Sequence, residues 1–371
     1  MADCCSAPGL MPLSQALAHL LGSVSSVTEI ERIDIHQADG RVIAEPVESS
    51  LNVPAFNNSA MDGYAICASA LKDGADISQV TFDMVGKAFA GQPFDGQLQE
   101  GQCIRIMTGA LVPDSAHAVA MQENTLVADD KVTLTQNHKL NENIRFAGED
   151  MAQGATIFEP GHRVSSVDIG LLASLGVPKV SVYRQLKVAL FSTGDELKQP
   201  GETLALGDIY DSNRYTLKGM LNRMHVDVLD LGVIRDDKNA IMQAFIQADQ
   251  QADVVISSGG VSVGEADYTK EVLDELGEIE FWKVAMKPGK PIAFGNLPNS
   301  VFFGLPGNPV SATVTFHVLA AKAMVKMQGA TPKPEIRLQA TTLGKIKKKP
   351  GRMDFQRGIA TTNDQGALSV T

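Results

Sequence analysis

Residues 253–257 read Asp-Val-Val-Ile-Ser, a short run that is rich in β-branched residues and shows no polar alternation. This pattern predicts a strand that is buried on both faces, as in a parallel sheet. Ser258-Gly259-Gly260 follows the run directly. Consecutive glycines after a buried strand allow a tight turn in which backbone N–H groups face a ligand, usually an anion. The stretch therefore favours an α/β sheet with an anion site at the strand end.

Two acids, Glu265 and Asp267, come next, and a helix is predicted from Tyr268 to Leu276. Glycines that admit a phosphate, with acids that hold a cation or orient water, favour a nucleotide- or phosphate-binding loop. The alternative is an ordinary glycine-rich turn with an acidic helix start, because Asp and Glu are common in first helical turns.

Composition excludes some classes of partner. The net charge of −11 argues against a general polyanion binder, and 5% aromatic residues argue against a base-stacking surface, so we expect no nucleic acid. Cys4, Cys5, Cys67 and Cys103 form no CxxC pair and are expected to be free thiols. A signal-peptide pattern and a run of ~20 apolar residues are both missing, so we expect a cytoplasmic protein that does not enter a membrane.

From Lys187 onward the predicted strands and helices alternate, which implies a mostly parallel sheet with helices on both faces. Ligands bind such sheets beyond the carboxyl ends of the strands. Five loops with ligand-type sequences follow predicted strands: TGDE (193–196), RDD (235–237), SGGVSVGEAD (258–267), MKPGKP (286–291) and LPGNP (305–309).

Other patterns divide the chain of 371 residues into four domains. Residues 1–50 and 147–186 are predicted to form a discontinuous α+β domain, with a helix over 12–24 and a hairpin turn at Asp39-Gly40. Glycine-punctuated short strands predict an inserted β-rich domain over 51–146, followed by a three-layer α/β domain over 187–331. Residues 332–371 carry eight Lys or Arg against three acids and predict a C-terminal β-barrel-like module. Its last strand, 367–371, lacks a partner, so we expect this module to be incomplete.

Seven motifs occur in a fixed order along the chain: NSAMDGYA, RIMTGA, NIRFAGED, STGDEL, SSGGVSVGEADYTK, MKPGKP and LPGNPVSA. Together they resemble the molybdopterin molybdenumtransferases of MoeA type, relatives of the gephyrin E domain, over essentially the whole chain. The resemblance implies molybdenum cofactor biosynthesis: molybdenum from molybdate enters adenylylated molybdopterin, AMP is released, and Mg²⁺ or another divalent cation assists. It also implies a homodimer in which the NSAMDGYA module of one subunit faces the α/β sheet of the other in composite active sites.

The same resemblance assigns most of the site residues, and Gly259, Gly260, Lys290, Arg352 and Arg357 are added as candidates on chemical grounds. The catalytic set is Asp62, Glu196, Asp236 and Asp267, and the metal ligands are drawn from Asp62, Asp236 and Asp267. The substrate-binding set is Thr108, Arg145, Asp150, Gly259, Gly260, Lys283, Lys287, Lys290, Pro306, Pro309, Ser311, Arg352 and Arg357. Molybdate is a tetrahedral dianion, so we expect lysines and the start of a helix over Val310–Met327 to bind it.

Two departures from the family pattern are visible. Position 57 is Asn where we expect an acid in many relatives. We also expect the end of the β module, which helps to hold molybdate in the family, to be missing here, although Arg352 and Arg357 remain.

Two other functions stay open at the sequence level. Residues 187–330 alone resemble the molybdopterin adenylyltransferases, which catalyse the preceding step and suggest the adenylyltransferase of the same pathway as a candidate partner. A non-enzymatic scaffold of gephyrin type is the other alternative.

Overall fold

A computed structural model describes residues 9–259, 268–348 and 350–371. Its contacts divide the chain into two units: the first comprises Met1–Glu45, Glu159–Ile169 and Lys179–Thr371, and the second comprises Pro46–Phe158 and Gly170–Pro178. Gly260, Glu265 and Asp267 lie outside the described residues, as do Cys4 and Cys5. The multidomain α/β class is confirmed, whereas the finer division into four domains stays a prediction.

The elements are numbered in chain order. The helices are α1 (Leu13–Ser23), α2 (Ser166–Ser174), α3 (Asn213–Asn222), α4 (Lys238–Gln251), α5 (Tyr268–Leu276), α6 (Pro309–Thr315) and α7 (Ala321–Met327), with a π-helical turn over Phe316–Ala320 between the last two. The strands are β1 (Ile30–Asp34), β2 (Val47–Glu48), β3 (Asn58–Ser59), β4 (Gly63–Ile66), β5 (Thr81–Ala88), β6 (Gln102–Ile106), β7 (Ala118–Met121), β8 (Thr125–Ala128), β9 (Lys131–Leu134), β10 (Ile144–Arg145), β11 (Thr156–Phe158), β12 (Lys179–Tyr183), β13 (Lys187–Thr193), β14 (Leu197–Lys198), β15 (Ile209–Tyr210), β16 (Asp227–Ile234), β17 (Val254–Ser258), β18 (Glu278–Lys283), β19 (Met286–Lys287), β20 (Pro291–Asn296), β21 (Val301–Leu305), β22 (Thr341–Thr342), β23 (Met353–Asp354), β24 (Ala360–Thr362) and β25 (Leu368–Val370).

The central sheet of the first unit has the spatial order β16-β13-β17-β21-β20-β18. Strands β16, β13, β17 and β21 are parallel, and β20 runs antiparallel between β21 and β18. All five residues of β17 are buried, which confirms the prediction made from its unbroken apolar run. The helix predicted from Tyr268 to Leu276 is also confirmed.

Helices cover both faces of this sheet and make three layers. On one face, α1, α3, α6 and α7 pack against the sheet around Leu190, Ile256 and Phe303. On the other face, α4 and α5 pack around Phe191, Phe245 and Phe302, and Phe245 meets the other two rings edge to face. With both faces buried, ligands can reach the sheet only at its edges. None of the described helices combines the length and the apolar character that a membrane span needs.

The predicted hairpin at Asp39-Gly40 is wrong. Strand β1 ends at Asp34 and pairs antiparallel with β12, from Ile30↔Tyr183 to Asp34↔Lys179, instead of pairing with residues 41–47. A short 3-10 turn over Ile35–Gln37 follows β1. The alternating pattern was correct for a strand, but local sequence does not reveal that the partner strand lies beyond the second unit.

The second unit is built on a sheet of order β7-β4-β6-β5-β9-β8. Its pairs are antiparallel except for β5 and β6. Cys67 and Cys103 are buried here as free thiols, and burial raises the pKa of Cys103 to about 12, so this thiol is unreactive at neutral pH.

A buried charge network supports the carboxyl edge of the first unit's sheet. Arg214, at the start of α3, donates from Nε to Asp211 (2.9 Å) and from Nη1 to both oxygens of Asp230 (2.9 Å each). Lys218 adds a further bond to Asp230, at 3.0 Å. Burial alone would raise the pKa of Asp230, but the hydrogen bonds from Lys218 and Arg214 lower it.

Replacing Arg214 with Met is expected to lower the free energy of unfolding of this unit by about 3–5 kcal/mol at neutral pH, because Asp211 would stay buried without its cation. The lowered pKa of Asp230 means that the wild-type pair stabilises the fold above about pH 4 and loses this contribution as the pH falls further. The variant should therefore differ less from wild type in acid. Fluorescence of Trp282, the only tryptophan and buried in β18, reports the unfolding of this sheet.

The matched control is Lys218→Met, because the Lys218 side chain is 44% exposed and its ion pair with Asp230 lies at the surface. Such a pair contributes about 0–1 kcal/mol. Equal losses in the two variants would contradict a special role for the buried guanidinium.

Candidate functional site

A pocket of about 100 Å³ lies at the carboxyl ends of β13 and β17. Residues from both strand ends, from the loop between β14 and α3 and from the loop after β21 line it: Ser192, Thr193, Glu196, Leu197, Ile209, Tyr210, Asp211, Ser212, Asn213, Ser258, Gly259, Gly307 and Pro309. Three predicted site residues are among them, namely Glu196, Gly259 and Pro309. A wider groove of about 420 Å³ lies at the opposite edge, beside Arg184 and Asp253, and contains none of the predicted residues.

The expected edge geometry is confirmed. Ser192, Ser258 and Leu305 are paired across β13, β17 and β21, so the loops after these strands leave the sheet at the same level. β18 has the same direction, because it is antiparallel to β20, which is antiparallel to β21. MKPGKP therefore follows a strand that ends at the same edge as the other four loops.

Gly259 has a different role from the one expected. Its backbone N–H donates to the carbonyl of Leu305 (3.1 Å), so this N–H is not free for an anion. Its φ of +94° and a Cβ position only 2.9 Å from the carbonyl oxygen of Thr193 explain why glycine is needed. Gly259 thus allows two strand ends to approach each other, and the N–H of Gly260 lies outside the described residues.

The start of α6 is also less open to an anion than expected. Oδ1 of Asn308 accepts hydrogen bonds from the N–H groups of Val310 (3.1 Å) and Ser311 (3.2 Å) and from the Ser311 hydroxyl (3.3 Å). Pro309 has no N–H. Pro306 is buried in the same loop. The first donors of this helix are therefore satisfied by its own cap, which leaves lysine and arginine side chains as the better anion ligands.

The carboxylates near β13 and β16 repel one another. The backbone N–H of Asp236 donates to the Asp195 carboxylate at 3.2 Å. Partial burial raises the pKa of Asp236, and the negative charges of Asp195 and Glu196 raise it further. Such an excess of negative charge at a strand end is suited to a cation. Within residues 9–259, 268–348 and 350–371, however, no three His, Cys, Asp or Glu side chains are arranged to hold a metal ion.

The predicted lysines lie on the loop between β18 and β20. Lys283 and Lys290 are exposed on its two arms, and Lys287 is exposed between them. Gly289 has a φ of +94°, and its Cβ position would be 2.3 Å from Oγ1 of Thr315, so glycine lets the loop lie against α6.

The C-terminal segment is joined to this loop by its backbone. β19 and β23 pair in parallel, and the N–H groups of Met353 and Phe355 donate to Ala285 and Lys287 at 2.8 Å each. Arg352 and Arg357, both exposed, therefore flank a strand that is paired with the lysine-bearing loop.

In the second unit, Asp62 and Thr108 form a hydrogen-bonded pair. Oδ1 of Asp62 accepts from the Thr108 N–H and from the Thr108 hydroxyl, at 2.8 Å each. These bonds, the backbone one first, lower the pKa of Asp62, with a smaller contribution from Arg105. An exposed carboxylate that is ionised and fixed in direction is suitable for a cation or a water molecule.

Arg145 forms the second predicted cluster of this unit. Its Nε donates to Glu149 (2.6 Å), and its Nη2 pairs with Asp150. Hydrogen bonds to these two carboxylates raise the pKa of Arg145. Asn57, the departure from the family pattern, accepts from the Ala147 N–H through Oδ1 at 2.9 Å, a bond that an Asp carboxylate would also accept.

Sequence reasoning missed the polar residues that form much of the pocket. Asp211-Ser212-Asn213 has the sequence of an ordinary helix cap, and none of the three was predicted as a site residue. Asp211 is 2% exposed, accepts from Ser192 Oγ (3.2 Å) and is held by Arg214, while Asn213 bridges Ser258 and Gly307. One signal could have found them: Asp211-Ser212-Asn213 stands at the start of α3, in the connection between β13 and β16, and β13 ends at the edge where ligands are expected.

Comparison with known proteins agrees with this architecture. Residues 11–176 match the family described as MoeA N-terminal region (domain I and II), and residues 189–326 match the family described as probable molybdopterin binding domain. A molybdopterin molybdenumtransferase of Haemophilus influenzae is 46% identical over 363 residues, which are 97% of this chain and 89% of that protein. One from Nostoc is 34% identical over 326 residues, which are 87% of this chain and 75% of that protein.

Solved structures give the same result. A molybdopterin biosynthesis MoeA protein from Pyrococcus horikoshii superimposes with a TM-score of 0.81 and 27% identity, covering 97% of this chain and 89% of the other. A second structure of a MoeA protein from this organism gives a TM-score of 0.77 and 30% identity, with coverages of 98% and 90%. The sequence relatives, which match nearly the whole length of this chain, show that it belongs to the molybdopterin molybdenumtransferase family.

Proposed function

We propose that this chain transfers molybdenum from molybdate to adenylylated molybdopterin and releases AMP, a step of molybdenum cofactor biosynthesis. Family membership supports the enzyme class. The observation that carries the proposal is the pocket at the carboxyl ends of β13 and β17, where predicted substrate and catalytic residues meet. Cleavage of a phosphoanhydride depends mainly on positioning and on neutralising charge, and the loops at this edge offer both.

The anionic groups are assigned to the lysine-bearing loop. Lys283, Lys287 and Lys290 would neutralise phosphate or molybdate charge, and Arg352 and Arg357 would add planar donors beside the same loop. The pairing of β19 with β23 supports this assignment, because it holds the arginine-bearing segment against Lys287.

The carboxylates of the first unit would supply only part of the ligand set of a divalent cation. Mg²⁺ keeps several waters and is usually held by one or two carboxylates together with substrate phosphates. Asp236, with its raised pKa, and Glu196 would supply such a partial set, and Asp62 and Asp267 are further candidates. When bound, the cation would neutralise charge on the phosphoanhydride.

The two alternatives are less well supported. An adenylyltransferase needs only the single α/β domain, whereas the family match over residues 11–176 and the relatives at 87–97% coverage include the N-terminal half. A scaffold role would not require the strand-end pocket in which predicted substrate and catalytic residues meet.

The direct test is AMP release by the purified chain from adenylylated molybdopterin. We expect release to depend on molybdate, whereas adenylyltransferase activity would consume ATP and a scaffold would show neither.

Within the same assay, Arg352→Ala should raise the molybdate concentration needed by about tenfold through loss of a charged donor. Lys347→Ala, a change in an exposed loop lysine, should leave it nearly unchanged. Similar curves for the two variants would remove Arg352 from the anion site.

Asp236→Asn is expected to lower turnover by about 10²-fold or more, because the cation would lose a carboxylate ligand. A raised pKa means that the folded state disfavours the ionised carboxylate, so the variant should be at least as stable as wild type at neutral pH. That difference should vanish below the ordinary Asp pKa of about 4, where both states are protonated. Wild-type turnover should itself fall as the pH drops through the raised pKa.

The neighbouring carboxylate supplies a matched control. Asp237 caps α4 by accepting from the Ala240 N–H at 2.9 Å, a role that Asn performs equally well. Asp237→Asn should therefore change neither turnover nor stability appreciably. Normal turnover in Asp236→Asn would exclude Asp236 from the catalytic set.

We further propose a homodimer with composite sites, as the family resemblance implies. The predicted residues support this, because Asp62, Thr108, Arg145 and Asp150 belong to the second unit and the others described belong to the first. Mixing Asp62→Ala subunits with Asp236→Ala subunits should restore about half of the activity per heterodimer, since one of two sites is then intact. Mixing Asp236→Ala with Glu196→Ala, both in the first unit, should restore none. Equal results for the two mixtures would contradict shared sites.

A further inference from the structure

Asn213 has a buried oxygen that no described residue satisfies. Its side chain lines the pocket at the ends of β13 and β17, and the residue is 9% exposed. Within the described residues, unpartnered buried side-chain atoms occur in His138, Asn213, Ser257 and Thr315. Asn213 is the one of these four that lines the pocket. A buried polar group without a partner is unusual in a folded protein and calls for an explanation such as an absent ligand or water.

The hydrogen bonds made by Nδ2 fix the orientation of the Asn213 side-chain amide. Nδ2 donates to Ser258 Oγ and to the Gly307 carbonyl, at 2.8 Å each. Rotation of the amide by 180° would place Oδ1 against the Gly307 carbonyl, and two acceptors repel each other. Both hydrogens of the amide are therefore used, and the free group is an acceptor.

The residues that line the pocket also disfavour a negatively charged group of a ligand. It contains two carboxylates, Glu196 and Asp211, and no lysine or arginine among its described residues. Asp211 is already neutralised by Arg214. Leu197, Ile209 and Tyr210 contribute apolar surface. The phosphoanhydride and molybdate carry no proton at neutral pH, so their oxygens only accept hydrogen bonds and neither group could satisfy Oδ1 of Asn213.

We propose that Asn213 is a specificity-determining residue that accepts a hydrogen bond from the uncharged ring or sugar part of the substrate. The donor is an exocyclic ring amine, which the pterin and the adenine both carry, or a ribose hydroxyl. This inference rests on the proposed function, and it orients the substrate with its uncharged donor-bearing part in the pocket and its anionic part towards the lysine-bearing loop. A ligand that lacks the donor leaves the oxygen unpaired and is rejected.

The test is ligand binding measured by calorimetry on the full chain, without turnover. One arm compares AMP with its analogue that lacks the exocyclic amine, and with 2′-deoxy-AMP and 3′-deoxy-AMP. The other compares pterin with lumazine, in which an oxygen replaces the exocyclic amine. For the pair whose donor meets Asn213, the wild-type chain should prefer the parent by about tenfold or more, and Asn213→Ala should abolish that preference. The responding pair identifies the source of the donor, and the affinity for inorganic molybdate should not change.

Two further variants separate recognition from structure. Asn213→Ser shortens the side chain so that no acceptor remains at the position of Oδ1, and it should also abolish the preference, which covers the case in which Asn213→Ala fails to fold. Ser258→Ala removes only a partner of Nδ2 and should weaken the parent and its analogue equally, if at all. Equal weakening of parent and analogue by Asn213→Ala, a wild-type chain with no preference in any pair, or no binding of any probe would each overturn the proposal.

The proposed function can fail separately. Donor-dependent binding without molybdate-dependent AMP release would uphold the role of Asn213 and contradict the transferase activity. Normal AMP release with no donor preference would contradict the role of Asn213 alone.

Discussion

The parallel pairing of β13, β17 and β21 is the constraint on which the described site of the first unit depends. Main-chain hydrogen bonds hold Ser192, Ser258 and Leu305 in one row, so three loops leave the sheet at the same level. Helices cover both faces of the sheet with apolar side chains. The side chains of these loops can therefore reach a ligand only at the edge of the sheet. A register shift of one residue would turn every following side chain to the other face of the sheet.

Charge is separated along that edge. Acidic groups gather near β13 and β16, where Asp236 has a raised pKa and Arg214 neutralises Asp211 and Asp230. Basic groups gather on the loop between β18 and β20, where the C-terminal segment brings two arginines. On the proposed function, this separation would place the phosphoanhydride of the substrate towards the basic loop.

The sequence was sufficient for the parts of the fold that local pattern determines. The buried strand predicted from the run at 253–257, the helix predicted at 268–276 and the five loops that follow predicted strands all come from local pattern and turn chemistry. The pairing of strands was harder to predict, because the pattern of one strand does not identify the strand beside it in the sheet. The partner predicted for β1 was wrong. The sequence also did not show which backbone N–H groups already have a hydrogen-bond partner. The side chain of Asn308 accepts from the first N–H groups of α6, and the Gly259 N–H donates to the Leu305 carbonyl. Asp211 and Asn213 look like ordinary cap residues until their burial and partners are known.

The pairing of β1 with β12 has a consequence for synthesis on the ribosome. Ile30 lies opposite Tyr183, so β1 must wait for 153 further residues before its partner exists. At a translation rate of roughly 5–20 residues per second this is a delay of about 8–30 s, far longer than the folding of most small domains. Residues 46–158 emerge within that interval and hold most of the second unit. The nascent chain therefore exposes the unpaired edge of β1 while the inserted unit is already able to form its sheet. During this interval β1 is most exposed to pairing with another chain.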